Sequence, residues 1–167
     1  LSRLDATARY SGIIVDTKNF AVQTGVRTFD AAAYLRRAGA DPVLVRHLFR
    51  TDYETNIAIS KAKAYSNLYE GGLITTTCPE IIPNIQAIAA QVADSLLRIE
   101  GVRMSLVFFR LDAETVGISA RSTGELNVQV IMENFGGGGH QNVAGAQVKK
   151  QKLEDVQAKA IELSRKY

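Results

Sequence analysis

Residues 136–140, four consecutive glycines and a histidine, are the segment of this sequence best suited to chemistry. Backbone without side chains lets amide N–H groups turn toward a ligand, and nothing blocks the close approach of a phosphate. An imidazole held at the end of such a loop donates a hydrogen bond to an anionic oxygen. The segment therefore predicts a phosphate-binding loop. A flexible linker is the alternative, because glycine-rich tracts are often linkers.

The residues on both sides of the glycines favour an ordered loop. Apolar residues before them recur with helical spacing, at Val128, Ile131, Met132 and Phe135. Residues 143–148 follow as a small, apolar run that is typical of a strand. Because a loop between two core elements is held at both ends, we favour the phosphate-binding interpretation over the linker.

The composition restricts the kinds of site that the chain can build. The single cysteine, Cys78, excludes an internal disulfide framework and a zinc site made of cysteines. Two histidines, His47 and His140, are too few for a multi-histidine metal site. The net charge of +3 is too small to predict binding of duplex nucleic acid. No apolar run approaches the roughly 18 residues that a membrane-spanning helix needs.

Hydrophobic periodicity predicts two parts of different character. Residues 1–70 are predicted to be nearly all helical, with residues 19–26 extended and a long helix over residues 53–69. The other helices expected there cover residues 4–14, residues 29–38 with Thr28 as N-cap and Gly39 as stop, and residues 42–49 with Asp41 as N-cap. Residues 71–167 are predicted to form a complete α/β unit of about four strands. The first part has no sheet of its own, which suggests the tail of a larger domain.

Several of these segments resemble the DHH phosphoesterase superfamily. The run GGGGHQNVAGAQV at 136–148 is similar to the glycine loop of the DHH-associated domain, and ISARSTGELNV at 118–128 to the segment that precedes that loop. Residues 12–20, GIIVDTKNF, resemble the segment with the last metal-binding aspartate of the DHH domain. Residues 24–41 closely resemble the version in GdpP-like membrane proteins, which are phosphodiesterases that hydrolyse cyclic di-AMP.

The resemblance implies a fold class and a division of labour. It implies an α/β protein, in which the C-terminal portion of a DHH domain (1–70) is a helical tail. A small substrate-binding α/β domain with a mixed sheet (71–167) follows. In this family the DHH lobe holds two divalent metals, usually manganese, which activate a water and stabilise charge on the phosphate. The associated lobe binds the substrate with its glycine loop.

Carried over residue by residue, the resemblance implies a metal ligand and a set of substrate contacts. Asp16 would bind metal, and Arg121 and Ser122 would contact phosphate, the arginine as a bidentate donor. The other substrate-binding residues would be Gly137, Gly138, Gly139 and His140, with Asn142 and Ala144 lining a base pocket. From the residues alone, Asp16 is better explained as an N-cap or turn carboxylate. Arg121 is equally well explained as a surface arginine at a strand end, and Ser122 as a turn cap.

The sequence also departs from the family pattern, and the departure limits the expected activity. The paired-aspartate motifs and the Asp-His-His triplet are absent from the sequence, and one carboxylate cannot hold two metals. We therefore expect part of a phosphodiesterase that converts cyclic di-AMP to a linear dinucleotide, this part mainly binding substrate and hydrolysing little alone. Two alternatives stay open: a nano-RNase or exonuclease acting on short oligonucleotides, and a nucleotide-binding regulatory module without catalysis.

The resemblance implies partners and a location as well. The partners are a cyclic dinucleotide or short oligonucleotide, Mn²⁺, an N-terminal part of the same protein that would precede Leu1, and a second copy in a homodimer. The expected location is the cytoplasm, as a soluble domain of a membrane-anchored bacterial parent, without membrane contact of its own.

Overall fold

The computed structural model describes residues 1–78 and 80–166, which form two compact units, Leu1–Asp52 and Tyr53–Tyr167. The first unit is built of helices and the second carries a mixed sheet, so the α/β fold class is confirmed. The domain boundary expected at residue 70 separates family domains, and it stays a prediction. No helix among the described residues is long and apolar enough to cross a membrane.

The first unit consists of α1 (Arg3–Asp16), α2 (Val26–Arg37) and α3 (Pro42–Leu48). Helix α1 packs against both of the others. Side chains small enough to let the helices approach closely make up much of its core, which contains Ala6, Leu35 and Ala40. The helix ends are closed by polar side chains, as at α3, where Oδ1 of Asp41 accepts from the N–H groups of Val43 and Leu44 at 3.0 and 3.1 Å.

Two local expectations for the first unit are wrong. Residues 19–26 are not extended, because Oγ1 of the buried Thr17 accepts from the Phe20 N–H at 2.8 Å and closes a tight turn. Lys18, Asn19 and Phe20 all take positive φ there (46°, 61° and 64°), which side chains disfavour. Thr28 is not the N-cap of α2: Gly25 holds that position, and Oγ1 of Thr28 accepts from its N–H. The stop at Gly39 is confirmed, with φ +98°.

The second unit contains four helices and six strands within its described residues. The strands follow the order β1-β2-β3-β4-β6-β5, in which β2 and β3 are parallel and every other pair is antiparallel. In chain order the elements are α4 (Tyr53–Ala64), β1 (Asn67–Tyr69), β2 (Leu73–Cys78), α5 (Ile85–Leu96), β3 (Met104–Arg110), β4 (Thr115–Ser122), α6 (Val128–Glu133), β5 (Gly138–Gly139), β6 (Val143–Lys149) and α7 (Leu153–Ser164).

The long helix expected over residues 53–69 is also wrong. Helix α4 ends at Ala64, and Asn67–Tyr69 forms β1, which pairs with the start of β2. Gly71 and Gly72, with φ of +81° and +80°, turn the chain between the two strands. The count of about four strands fell short because β1 and β5 have three and two residues, too few to show a period.

The sheet is covered on both faces, which explains why β3 is buried from Met104 to Phe109 and mostly apolar. On one face, α6 and α7 pack over a core that contains Leu106, Phe108 and Ile118. On the other face, α4 and α5 pack over a core that contains Val107 and Phe109. Ser105 fixes α5 to β3, since its Oγ donates to the carbonyl oxygen of Ala93 at 2.8 Å.

Asp112 makes the β3–β4 turn sensitive to pH. Its Oδ1 accepts from the N–H groups of Glu114 and Thr115 at 2.8 and 2.7 Å, and these bonds lower the pKa of the carboxyl below 3.8. The stabilisation of the folded state by the charged Asp112 carboxylate is therefore complete above the ordinary pKa of about 3.8. It is lost as the pH falls through the lower pKa that the group has in the folded state.

Replacing Asp112 by asparagine tests this pH dependence. The stability difference between wild type and Asp112→Asn should shrink as the pH falls from about 6 to about 3, because only the wild type loses a charged acceptor. Urea unfolding of both proteins at several pH values measures it. A difference that stays constant over this range would show that the Asp112 carboxylate contributes nothing through its charge.

Candidate functional site

A cavity of about 530 Å³ lies beside the glycine segment in the second unit. Helix α5, strands β4 and β6 and the backbone of the glycines all contribute to its lining. Its volume falls in the range of pockets that bind small molecules, about 300–1,000 Å³. The lining residues include Gln86 and Ala90 from α5, Ser119 and Arg121 from β4, Gly136, Gly137 and Gly138, and Gly145 and Gln147 from β6.

The glycine segment belongs to the sheet, so the linker interpretation is wrong. Strand β5 pairs antiparallel with β6, Gly138 opposite Gly145 and Gly139 opposite Ala144. A tight hairpin joins the strands: the His140 N–H donates to the Val143 carbonyl at 2.7 Å, and the Val143 N–H donates back at 3.3 Å. The glycine backbone that lines the cavity is therefore held by strand pairing.

Gly137 and Gly138 have different structural roles. A Cβ on Gly137 would overlap the carbonyl oxygen of Gly145 and lie 2.6 Å from the Cβ of Ala146, so packing against β6 requires glycine there. A Cβ on Gly138 would meet nothing within 4 Å, so packing does not require glycine at this position. The open side of Gly138 is where a ligand can approach the backbone closely.

The side chain of Arg121 is restrained by hydrogen bonds and is not a freely exposed surface arginine. Only 11% of its side chain is exposed, and its Nε donates to Oδ1 of Asp94 at 3.0 Å. Its Nη1 donates to Oγ of Ser119 at 3.2 Å and to the carbonyl oxygen of Ala120 at 3.0 Å.

These bonds revise the contact that the resemblance implied for Arg121. They occupy three of the five N–H groups of the guanidinium. Nη2 carries the other two, so we expect a ligand to contact this one nitrogen instead of forming a bidentate pair.

The predicted substrate-binding residues divide into two groups. Arg121, Gly137, Gly138 and Ala144 line the cavity together. Of the described residues, Ser122, Gly139, His140 and Asn142 are not part of its lining. Their roles as substrate contacts remain predictions.

Ser122 and the hairpin residues lie next to the cavity, at one end of β4 and β6. The buried Oγ of Ser122 accepts from the Gly124 N–H at 3.0 Å, and the Ser122 N–H donates to the Asn142 carbonyl at 3.0 Å. These contacts fit the capping interpretation of Ser122. His140 and Asn142 are exposed on the hairpin, next to the paired residues Arg121 and Val143.

The described residues do not by themselves fit a two-metal centre. Asp16 is exposed at the last position of α1, in the first unit. Across residues 1–78 and 80–166, no group of three or more histidine, cysteine, aspartate or glutamate side chains could hold a metal ion. The role of Asp16 as a metal ligand therefore remains a proposal.

The reactive side chains elsewhere add no chemistry to the cavity. Burial raises the pKa of the Cys78 thiol to about 11, so it is protonated at neutral pH and a weak nucleophile. His47 is exposed on α3.

Sequence reasoning missed three residues around the cavity. Gln86 on α5 and Gln147 on β6 line it, and Asp94 accepts a hydrogen bond from Arg121. A signal existed for the helix: residues 86, 90 and 94 recur at i, i+4 and i+8, beside the apolar stripe of α5. It was hidden because the apolar stripe dominates the helix. Gln147 alternates with the buried Ala146 and Val148, which indicated only that it faces the other side of the sheet.

Alanine at position 137 tests the packing role of the glycines. Gly137→Ala forces the segment and β6 apart, so we expect it to lower the free energy of unfolding by about 1–3 kcal/mol. Gly138→Ala is the matched control and should change it by less than about 0.5 kcal/mol. Thermal and urea unfolding measure both. Equal losses in the two variants would contradict the division of roles.

The sequence of the second unit matches a known family. Residues 82–166 match the family described as the DHHA1 domain, a range that contains Arg121 and the glycine segment. The cyclic-di-AMP phosphodiesterase PdeA of Listeria monocytogenes serotype 1/2a (strain 10403S) is 44% identical over 161 residues. The match covers 96% of this chain and 24% of that protein, so the chain spans about a quarter of the length of this relative.

Two solved structures have a similar fold. An exopolyphosphatase-related protein from Bacteroides fragilis aligns with a TM-score of 0.84 at 19% identity, over 97% of this chain and 51% of the other. RecJ from Thermus thermophilus, crystallised in complex with Mn²⁺, aligns with a TM-score of 0.50 at 15% identity, over 99% of this chain and 23% of the other. At these identities the likeness concerns the fold alone.

Proposed function

Because the chain belongs to the DHHA1 domain family, we propose that its cavity holds the phosphodiester of cyclic di-AMP for a metal-dependent phosphodiesterase. The whole protein would hydrolyse cyclic di-AMP to a linear dinucleotide, and this chain would supply the substrate-holding part. The observation that carries the proposal is an arginine that is only 11% exposed, is oriented by Asp94 and lines the same cavity as bare glycine backbone. The activity is proposed from the name of the similar Listeria protein, a cyclic-di-AMP phosphodiesterase.

The chemistry of the cavity supports an anionic ligand. Arg121 is the one charged side chain among its described lining residues. A guanidinium forms short, charge-assisted hydrogen bonds with phosphate oxygens, and backbone N–H groups beside it add donors that cost little reorganisation. In this proposal Nη2 of Arg121 holds one phosphate oxygen, while the open side of Gly138 lets the phosphate approach the backbone.

The other lining residues of the cavity favour a nucleotide as the ligand over phosphate alone. Gln86 and Gln147 each present an amide that both donates and accepts, the pattern that pairs with the edge of adenine. Small residues in the lining, Ser119 and Gly145, leave room for a flat base. We propose that Asn142, Ala144 and His140 extend this surface at the hairpin, as the resemblance implies.

The metal chemistry is proposed for the whole protein. A pair of divalent metals, Mn²⁺ in this proposal, supplies an activated water when bound. Mn²⁺ is present in the crystallised RecJ, which shares the fold. Asp16 would contribute one carboxylate, and the other ligands would come from parts of the longer protein. We further propose a cytoplasmic location for this chain.

Binding of cyclic di-AMP to the purified chain tests the proposed ligand. Arg121→Ala should weaken binding by on the order of tenfold or more, because it removes a hydrogen bond to a charged group. Arg103→Ala is the control, since Arg103 lies outside the cavity, in an exposed ion pair with Glu125. Isothermal titration calorimetry measures both.

Competition with other ligands decides between the candidate functions. Stronger binding of a short linear oligonucleotide would favour the nuclease alternative. An equal effect of Arg121→Ala and Arg103→Ala would contradict the assigned cavity.

A hydrolysis assay tests the proposed division of labour. The 167-residue chain with Mn²⁺ and cyclic di-AMP should release little or no linear dinucleotide, because the described residues lack a metal-binding cluster. Chromatography of the products over several hours measures the turnover. Sustained turnover by the purified chain would overturn the assignment of this part to substrate holding.

A further inference from the structure

We propose that Asp94 is a positioning residue, which holds Arg121 in the orientation that binds a phosphate. The inference rests on the proposed function, because it concerns how the same cavity recognises its ligand. It adds a residue that lies outside the glycine segment and on a different element, helix α5.

The placement of Asp94 on α5 connects it to the cavity. Gln86, Ala90 and Asp94 follow one another at four-residue spacing and therefore share one side of the helix. Gln86 and Ala90 line the cavity, and Asp94 continues this row to the guanidinium of Arg121. Helix α5 contributes to the lining of the cavity. It also supplies the carboxylate, that of Asp94, which fixes the guanidinium of Arg121.

The contacts of Arg121 define a single orientation of its guanidinium plane. Asp94 accepts from Nε, while Ser119 and the Ala120 carbonyl accept from Nη1. Two fixed nitrogens of a planar group fix the third, so Nη2 is aimed without further adjustment. An arginine side chain that is not restrained loses rotamer entropy when it binds a ligand. A group held in advance avoids that loss at the moment of binding.

Comparison with another ion pair of the same unit shows why this one is more than a surface contact. Arg103 and Glu125 approach to 2.6 Å, but their side chains are 44% and 63% exposed, and such pairs add little stability. The side chains of Arg121 and Asp94 are 11% and 36% exposed. Even a partly buried ion pair is weak evidence for added stability, so the fixed geometry of this pair is the property that the cavity can use.

Because Asp94 is charged, the proposal can be tested by whether its removal strengthens or weakens phosphate binding. A carboxylate bonded to Arg121 repels an anionic ligand of that arginine. If Asp94 acted by its charge alone, removing it would strengthen phosphate binding. If Asp94 holds Arg121, removing it frees the guanidinium and weakens phosphate binding. The two roles therefore predict opposite signs.

The first experiment compares binding of cyclic di-AMP and of inorganic phosphate to the wild-type chain, Asp94→Ala and Asp94→Asn. We expect Asp94→Ala to weaken binding by on the order of tenfold, the lower end of the effect that loss of an orienting partner has at metal sites. Asp94→Asn keeps an oxygen that accepts from Nε, so it should lose less. Glu125→Ala is the matched control, and its affinity should equal that of the wild type. Unchanged or tighter binding by Asp94→Ala would overturn the proposal.

The second experiment observes Arg121 directly and does not depend on the ligand. In the wild type, the Nε–H of Arg121 should exchange with solvent on the order of tenfold more slowly than that of Arg103, by side-chain NMR. Asp94→Ala should remove this protection, with backbone amide signals elsewhere unchanged. If the wild type binds neither probe, the proposed function fails, whereas the exchange rate still decides whether Asp94 holds Arg121. Equal exchange in wild type and Asp94→Ala would contradict the positioning role.

Discussion

The close backbone contact between the glycine segment and β6 is the constraint on which the candidate site depends. Strand β5 lies so near β6 that a Cβ on Gly137 or Gly139 would overlap backbone atoms of β6. This contact gives the sheet its last strand and places bare backbone along one wall of the cavity. It also positions the hairpin, whose Gln141 accepts from the Val128 N–H and donates from Nε2 to the Gly124 carbonyl. The start of α6 and the turn after β4 are thereby tied to the same segment.

The second condition for the cavity is that small residues occupy the neighbouring part of the sheet. Gly117, Ser119 and Gly145 have little or no side chain on this part of the sheet, and the ring of Phe109 fills the space above Gly117. Larger residues there would fill the space that the cavity occupies. Arg121 is therefore largely covered, with hydrogen-bond partners on β4 and α5, yet it lines the cavity. Because Arg121 is restrained by its neighbours and also accessible from the cavity, the orientation of its guanidinium affects ligand binding.

The sequence predicted the long elements well and the short ones poorly. Strands β3 and β4 and helix α5 followed from composition and periodicity, and the family resemblance is confirmed by the DHHA1 match. Residues 67–69 were assigned to a helix because Tyr65 and Tyr69 continue the stripe of α4. Their pairing with β2 depends on a turn whose geometry no local pattern specifies. Strand β5 has no side chains at all, so its partner strand, and not its own sequence, makes it a strand.

The same limit applies to the site and changes how its motif should be interpreted. A run of glycines in the sequence indicates one property, freedom from side chains, and cannot separate its two causes. In the structure, packing against β6 accounts for Gly137 and Gly139, whereas Gly138 has open space in front of it. The phosphate-binding interpretation therefore depends on Gly138 and on Arg121, because close packing against β6 alone would explain Gly137 and Gly139. Arg121 was found from the resemblance, but its restraint was not, since Asp94 lies 27 positions away on another element. Contacts between elements, which one sequence does not reveal, decide whether such residues form a site.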